Sequence, residues 1–216
     1  MIDSTLPKTI FFDWNKTLCY SRFWEQLEDP LHPHHDDGKT VSKFLFQENQ
    51  SLVDSWMRGG YSANDILNLV SSSTDIPFDL LETELKLSCE NMRIVPGGVL
   101  SLIQELRALG VRCVIASDNM DMFRAFTIPS LKLDEYFDDF LLSNERGLLK
   151  FDVDREHRVI PFFDEYLQSN QLTYSDVLLF DDHVGDGYFA EVGFPIFQIK
   201  HEGELAEHLM GLLGKE

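Results

Sequence analysis

Carboxylates, hydroxyls, amides and one lysine recur in this chain just after short apolar runs. Ile10-Phe11-Phe12 leads into Asp13, with Asn15 and Thr17 beyond it. Val114-Ile115-Ala116 leads into Ser117-Asp118-Asn119, and Leu178-Leu179-Phe180 into Asp181-Asp182, with Asp186 four residues later. A further apolar segment is followed by Ser143-Asn144-Glu145-Arg146-Gly147-Leu148-Leu149-Lys150. Gathering Asp13, Asp182 and Asp186 in one crevice is costly unless a cation neutralises them. Oxygen donors without His or Cys select a hard ion, Mg²⁺ first. A carboxylate nucleophile beside such an ion and a lysine suits phosphoryl transfer through an aspartyl-phosphate. Lys150 would stabilise the free Asp13 carboxylate and then a phosphoryl oxygen, and Ser117 could hydrogen-bond the same group. Any one of these residues is an ordinary loop residue or helix cap. The coincidence of four strand ends is what points to chemistry.

The elements that must position them follow from periodicity. Lys8–Asp13, Val111–Ala116, Asp139–Leu142, Val177–Phe180 and Phe194–Ile199 are short runs rich in β-branched and aromatic residues, and they predict buried strands. Helical spacing separates them: Val99, Leu102, Ile103, Leu106 and Leu109 after Pro96-Gly97-Gly98, with Gly110 as the stop; Phe162, Phe163, Tyr166 and Leu167; and Leu205, His208, Leu209, Leu212 and Leu213. His208 reads as a packed helix residue, since no partner ligand is near it. Alternating strands and helices predict a parallel α/β sheet with right-handed crossovers. In such sheets ligands bind at the carboxyl ends of the strands, where the polar residues fall.

The alternation is interrupted from about residue 19 to residue 93. Apolar residues there keep helical spacing (Phe44, Leu45, Leu52, Trp56; Ile66, Leu67, Val70; Leu80, Leu81, Leu85, Leu87) and no strand run is found. Ser62-Ala63-Asn64-Asp65 predicts an N-cap with an acidic N3 residue. The stretch reads as a helical module inserted after the first strand. The expected division is a core of residues 1–18 and 94–216 around a cap of residues 19–93.

Composition narrows the field further. The chain of 216 residues is 44% hydrophobic and 25% charged, ample for a globular core. Asp and Glu number 37 against 18 Lys and Arg, a formal net charge of −19. That surface repels nucleic-acid backbones and anionic membranes, so neither is an expected partner. No apolar run approaches the length of a membrane span. Met1-Ile2-Asp3-Ser4 has no basic stretch followed by an apolar one, so no secretory leader is expected. Three scattered cysteines without CxxC spacing point to a reducing, cytoplasmic setting. P-loop, dinucleotide, zincin and serine-hydrolase signatures are absent.

Taken in order, these segments resemble the motifs of the haloacid dehalogenase (HAD) superfamily of hydrolases. Ile10-Phe11-Phe12-Asp13-Trp14-Asn15-Lys16-Thr17-Leu18 is similar to its first motif, Val114-Ile115-Ala116-Ser117 to the second, Lys150 to the third, and Leu178-Leu179-Phe180-Asp181-Asp182 with Asp186 to the fourth. The resemblance spans essentially the whole chain, and four motifs in order are a specific signal. It implies a Rossmannoid three-layer α/β sandwich with a parallel sheet, carrying an inserted all-helical C1 cap. It further implies that Asp13 is the nucleophile. Asp13, Asp182 and the backbone carbonyl of Asn15 would hold Mg²⁺, with Asp186 supporting the ion through waters. Ser117 and Lys150 would bind the phosphoryl group. Thr17, Asn119, Arg22 and Arg58 are candidate substrate contacts, the last in the turn Trp56-Met57-Arg58-Gly59-Gly60-Tyr61.

The sequence departs from the family pattern at Asn15, where the phosphatases usually carry an Asp that protonates the leaving alkoxide and then activates water. An amide does neither, and positioned acid–base catalysis contributes roughly 10²–10⁴-fold. His183 is a candidate substitute, weighed against an ordinary loop histidine. Lys16 stands where Gly is usual, and Phe151 where Pro is common. Dehalogenation in this superfamily needs no metal and would leave Asp181-Asp182 without a purpose. Phosphonate hydrolysis needs a cap lysine, and Lys39, Lys43 and Lys86 read better as surface residues. His32-Pro33-His34-His35 reads as a polar loop entering the cap. The expected activity is therefore an Mg²⁺-dependent phosphomonoesterase acting on a small phosphorylated metabolite. The alternative is a catalytically weakened chain that binds phosphorylated ligands or a protein partner.

Overall fold

The computed structural model describes residues 6–215; Met1–Ser4, read above for a leader, lie outside them. Strands β1 (Thr9–Phe12), β2 (Arg112–Ser117), β3 (Asp139–Leu142), β4 (Val177–Asp181) and β5 (Ile196–Gln198) form one sheet in the order β3-β2-β1-β4-β5. Every neighbouring pair is parallel. β1 is buried on both faces, which is why its sequence is continuously apolar rather than alternating. Ile10 and Phe12 face one apolar cluster and Phe11 the other. β5 is shorter than the apolar run around it; Pro195 has no N–H to give, and its carbonyl accepts from Leu179.

Helices cover the sheet on both sides. Ten are present among the described residues: α1 (His35–Lys43), α2 (Gln50–Met57), α3 (Ala63–Thr74), α4 (Phe78–Glu90), α5 (Val99–Ala108), α6 (Ile128–Ser130), α7 (Ser143–Arg146), α8 (Pro161–Ser169), α9 (Tyr188–Val192) and α10 (Glu204–Leu212). α5 and α10 pack with Ile10, Phe12, Cys113 and Ile115. α8 and α9 pack Phe162, Phe163, Tyr166 and Phe189 against Phe11 and Val114, and the rings of Phe11 and Phe163 lie 4.9 Å apart. Each such fully buried ring contributes about 1.5–3 kcal/mol relative to exposure. Gly97 turns the chain into α5 at φ +90, and a Cβ there would meet Ala206 of α10 at 2.6 Å. His208 packs on Phe197, ring centroids 3.6 Å apart, as its place on an apolar face predicts.

Two apolar residues fall off their expected faces. Leu109 is 62% exposed. α5 ends at Ala108 and Gly110 takes φ +89, so Leu109 sits where the helical period has already broken. Leu87 is also exposed, on the outer side of α4.

Helices α1 to α4 lie between β1 and β2 and share a separate apolar cluster built on Trp24, Leu45, Trp56, Ile66, Val70 and Leu85. No strand interrupts them among the described residues. α3 opens on the expected capping box: Asp65 N–H donates to Ser62 Oγ at 3.2 Å and Ser62 N–H to Asp65 Oδ2 at 2.9 Å. The chain enters and leaves this helical insertion at one place. Cys19 and Ile94 form an antiparallel bridge, and Val95 N–H donates to Leu18 O at 3.0 Å.

Candidate active site

Strand order decides which polar residues meet. The chain builds outward from β1 to β2 and β3, then returns to the other side of β1 with β4, which makes the carboxyl ends of β1 and β4 the switch point of the sheet. Phe12 pairs with Phe180, so the next residues, Asp13 and Asp181, emerge side by side. Asp13 N–H donates to Phe180 O at 2.9 Å, which fixes the start of the loop. Ser117 ends β2 on the opposite side of β1.

Lys150 reaches this junction from the loop after α7. Its N–H donates to Asp118 Oδ1 at 2.8 Å, and its ammonium lies 2.6 Å from Asp13 Oδ1, 2.6 Å from Asp181 Oδ2 and 3.3 Å from Ala116 O. The lysine is 3% exposed and Asp13 5%. Burial opposes the ammonium charge, but Asp13, Asp181 and Asp118 outweigh it and hold the pKa of Lys150 above the ordinary lysine value. Burial also pushes Asp181 upward, Lys150 pulling against that and Asp13 adding to it. Asp118 is raised for the same first reason. Carboxylates of Asp13, Asp181 and Asp182 each offer an oxygen within 4.8 Å of the others, a set that could hold a metal ion. All of its donors are oxygen, so the preferred ion is hard.

One hydroxyl ends β2 and another follows β1 in the loop that begins at Asp13. Thr17 Oγ1 and Ser117 Oγ are buried and find no hydrogen-bond partner among the described residues. A buried polar group left alone costs about 1–3 kcal/mol, so both fit a site that receives a polar ligand. Asn119 is buried as well; its N–H donates to Ser143 Oγ at 2.9 Å, and its Nδ2 is likewise without a partner among the described residues.

The residues singled out in the sequence fall in different places. Asp13, Ser117, Lys150 and Asp182 come together at the strand ends. Asn15 and Lys16 sit exposed at the rim. Lys16 adopts φ +56, a left-handed conformation that explains why glycine is usual there, and its ammonium lies 3.6 Å from Asp182 Oδ2. Asp186, expected to support an ion through waters, is not among the three carboxylates that meet. Its carboxylate pairs with Arg155 at 2.5 Å and accepts from Tyr188 N–H at 3.1 Å, in a loop where glycines 185 and 187 both take positive φ. Asp181, read from sequence only as a member of the fourth motif, takes a place in the cluster. The signal was available: it is the last residue of the strand that a 3-2-1-4-5 sheet sets beside Asp13. His183 packs edge-on against Phe151, centroids 4.9 Å apart.

Arg58 is committed elsewhere. Its guanidinium grips Asp152 with both nitrogens, at 2.5 and 2.8 Å, and Asp152 also accepts from Leu149 N–H one residue before Lys150. Gly59 beside it, at φ +74, is pressed on the Asn144 carbonyl, which a Cβ would approach to 2.2 Å. The turn Trp56–Tyr61 is thus a docking point between the insertion and the core. A second lies at Asp121, which accepts from Trp56 Nε1 at 2.9 Å and Ala63 N–H at 2.9 Å. Arg22 pairs with Glu28 at 2.6 Å and lines a cavity of about 990 Å³ between the insertion and the strand ends. Asn15, Lys16 and Asp118 line the end nearest the carboxylates; Trp24, Leu27, Val41, Phe46, Val53 and Met57 line the body.

Known proteins share this architecture. A HAD family enzyme from Bacteroides thetaiotaomicron matches at TM-score 0.69 and 13% identity, over 94% of this chain and 98% of its own. The same enzyme has been crystallised with magnesium and inorganic phosphate. A HAD-like hydrolase from Porphyromonas gingivalis matches at TM-score 0.66 and 14% identity, over 98% and 100% of the two chains. L-2-haloacid dehalogenase from Xanthobacter autotrophicus matches at TM-score 0.60 and 16% identity, over 89% of this chain and 77% of that one. No family model and no curated protein matches the sequence. The fold is the HAD-like α/β fold.

Proposed function

We propose that the chain is an Mg²⁺-dependent phosphomonoesterase that uses Asp13 as nucleophile. The observation that carries this reading is the convergence of Asp13, Asp181 and Asp182 at the strand ends, the first two held by one buried lysine, with Thr17 and Ser117 offering buried hydroxyls that lack a partner among the described residues. Asp13, Asp181 and Asp182, with the Asn15 carbonyl, would hold the ion; when bound, it offsets the excess negative charge and polarises a phosphoryl oxygen. Lys150, Ser117 and Thr17 would orient the phosphoryl group, leaving a carboxylate oxygen of Asp13 in line with the bond to be broken. The magnesium and phosphate bound by the Bacteroides enzyme support the same assignment. Residues 19–93 would act as the cap over the site and the remainder as the catalytic core.

The dehalogenases of this fold attack carbon instead of phosphorus, and the acidic cluster is the reason to prefer phosphorus here. Steady-state assay on a panel of phosphate monoesters tests the reading. Turnover should require Mg²⁺, disappear with chelator and fall by at least about 10³-fold in Asp13→Asn. Metal-independent release of halide from 2-haloacids, with no phosphate release, would contradict it.

Asn15 favours a second reading, a weakened chain that retains phosphorylated ligands without turning them over. Micromolar binding of phosphate monoesters, with no phosphate release by the native chain, would select it.

A further inference from the structure

The large cavity presents mostly apolar surface, with Tyr20, Ser42 and Gln47 among the polar side chains on its wall. Trp24, Leu27, Val41, Phe46, Val53 and Met57 line it with rings, thioether and branched chains, which reward an apolar body and offer no hydrogen bonds to a row of hydroxyls. Two of the cations on its wall are already committed, Arg22 to Glu28 and Lys39 to Asp36. Phe46 stays 42% exposed although it lies in this wall, an apolar surface that a ligand could cover. At the end nearest the carboxylates the cavity meets Asn15, where the family resemblance implies that a leaving alkoxide would take its proton. An amide cannot give one.

Both observations restrict the substrate in the same direction. We propose, resting on the phosphomonoesterase reading above, that the substrate class is an aryl phosphate, a monoester of a phenol whose ring and apolar substituents fill this cavity. An Asp13 oxygen attacks phosphorus and the P–O(aryl) bond breaks, its electron pair leaving on the phenolate oxygen. Delocalisation stabilises that charge, so departure needs no acid. Water then attacks the aspartyl phosphorus, the P–O(Asp13) bond breaks to restore the carboxylate, and inorganic phosphate leaves. The proton lost by the water ends on the phenolate through solvent.

The test is a series of substituted phenyl and naphthyl phosphates beside alkyl and sugar phosphates, each with Mg²⁺, on the native chain and on Asn15→Asp and Phe46→Asp. Phe46 is exposed, so its replacement should not prevent folding. For the native chain kcat/KM should rise steeply as the phenol becomes more acidic, and alkyl esters should be at least about 10²-fold slower. Asn15→Asp should raise kcat/KM of alkyl esters at least about tenfold more than that of aryl esters, because kcat/KM leaves out the later attack of water that is common to every ester. Phe46→Asp should raise KM for naphthyl phosphate more than for phenyl phosphate. Asp13-dependent hydrolysis of sugar phosphates at the aryl rate would overturn the substrate class and leave the phosphatase intact. No turnover of any ester would overturn both.

Discussion

Lys150 is the residue on which the site balances. A buried ammonium at 2.6 Å from two carboxylates is a triad whose separate members would be untenable in the same place. Replacing it by Met, similar in length and uncharged, should destabilise the fold by about 3–5 kcal/mol, because Asp13 and Asp181 are left facing one another. Urea unfolding measures this, and Asp181→Asn in the same background should restore part of the loss. Equal stability of Lys150→Met and the native chain would mean that the carboxylates are not both charged. At this scale the sequence was legible for Asp13, Ser117 and Lys150, since each follows a recognisable apolar run at a motif spacing. For Asp181 the signal was there but needs the strand order to be read, since only β4 beside β1 sets it next to Asp13. Motif spacing also says nothing of where a side chain finds its partner, and Asp186 pairs with Arg155.

All five strands are visible in the sequence because buried parallel strands are short, continuous apolar runs, and the helical insertion is visible because strand runs vanish from it. Its contacts with the core were not visible. Arg58 looked free to meet a substrate anion, but its partner Asp152 is far away in sequence and only the folded chain brings the two together. This clasp predicts a local effect. In Arg58→Ala, hydrogen exchange in α2 and the first turn of α3 should accelerate while β1 and β2 keep native protection. Global stability should change by less than about 1 kcal/mol, as the pair is partly solvated. KM should rise because the insertion forms the cavity wall. Native exchange rates throughout would show that Asp121 alone holds the two parts together.

Across the whole molecule, a net charge of −19 means that the site must attract anions against the field of the surface. A bound cation at the strand ends is the natural counterweight. Burial raises the pKa of Asp181 in the folded chain, so between the ordinary carboxylate range and that raised value the folded state binds more protons than the unfolded one. Stability of the metal-free chain should therefore rise as pH falls through this window. A cation needs the ionised form, so Mg²⁺ should raise Tm more at about pH 8 than at about pH 5.5. At a hundred times its dissociation constant it adds about 2.7 kcal/mol, roughly 5–10 °C for a chain of this size. An Mg²⁺ increment that is equal at both pH values, or larger in acid, would place the ion elsewhere.

Acid quenching during the first turnover of an activated aryl phosphate, followed by peptide mass spectrometry, reaches the central claim most directly. With Mg²⁺ present, a phosphoryl group should appear on the peptide containing Asp13 and should be lost in Asp13→Asn. Phosphate release with a full burst and no adduct on that peptide, or an adduct on another residue, would contradict attack by Asp13.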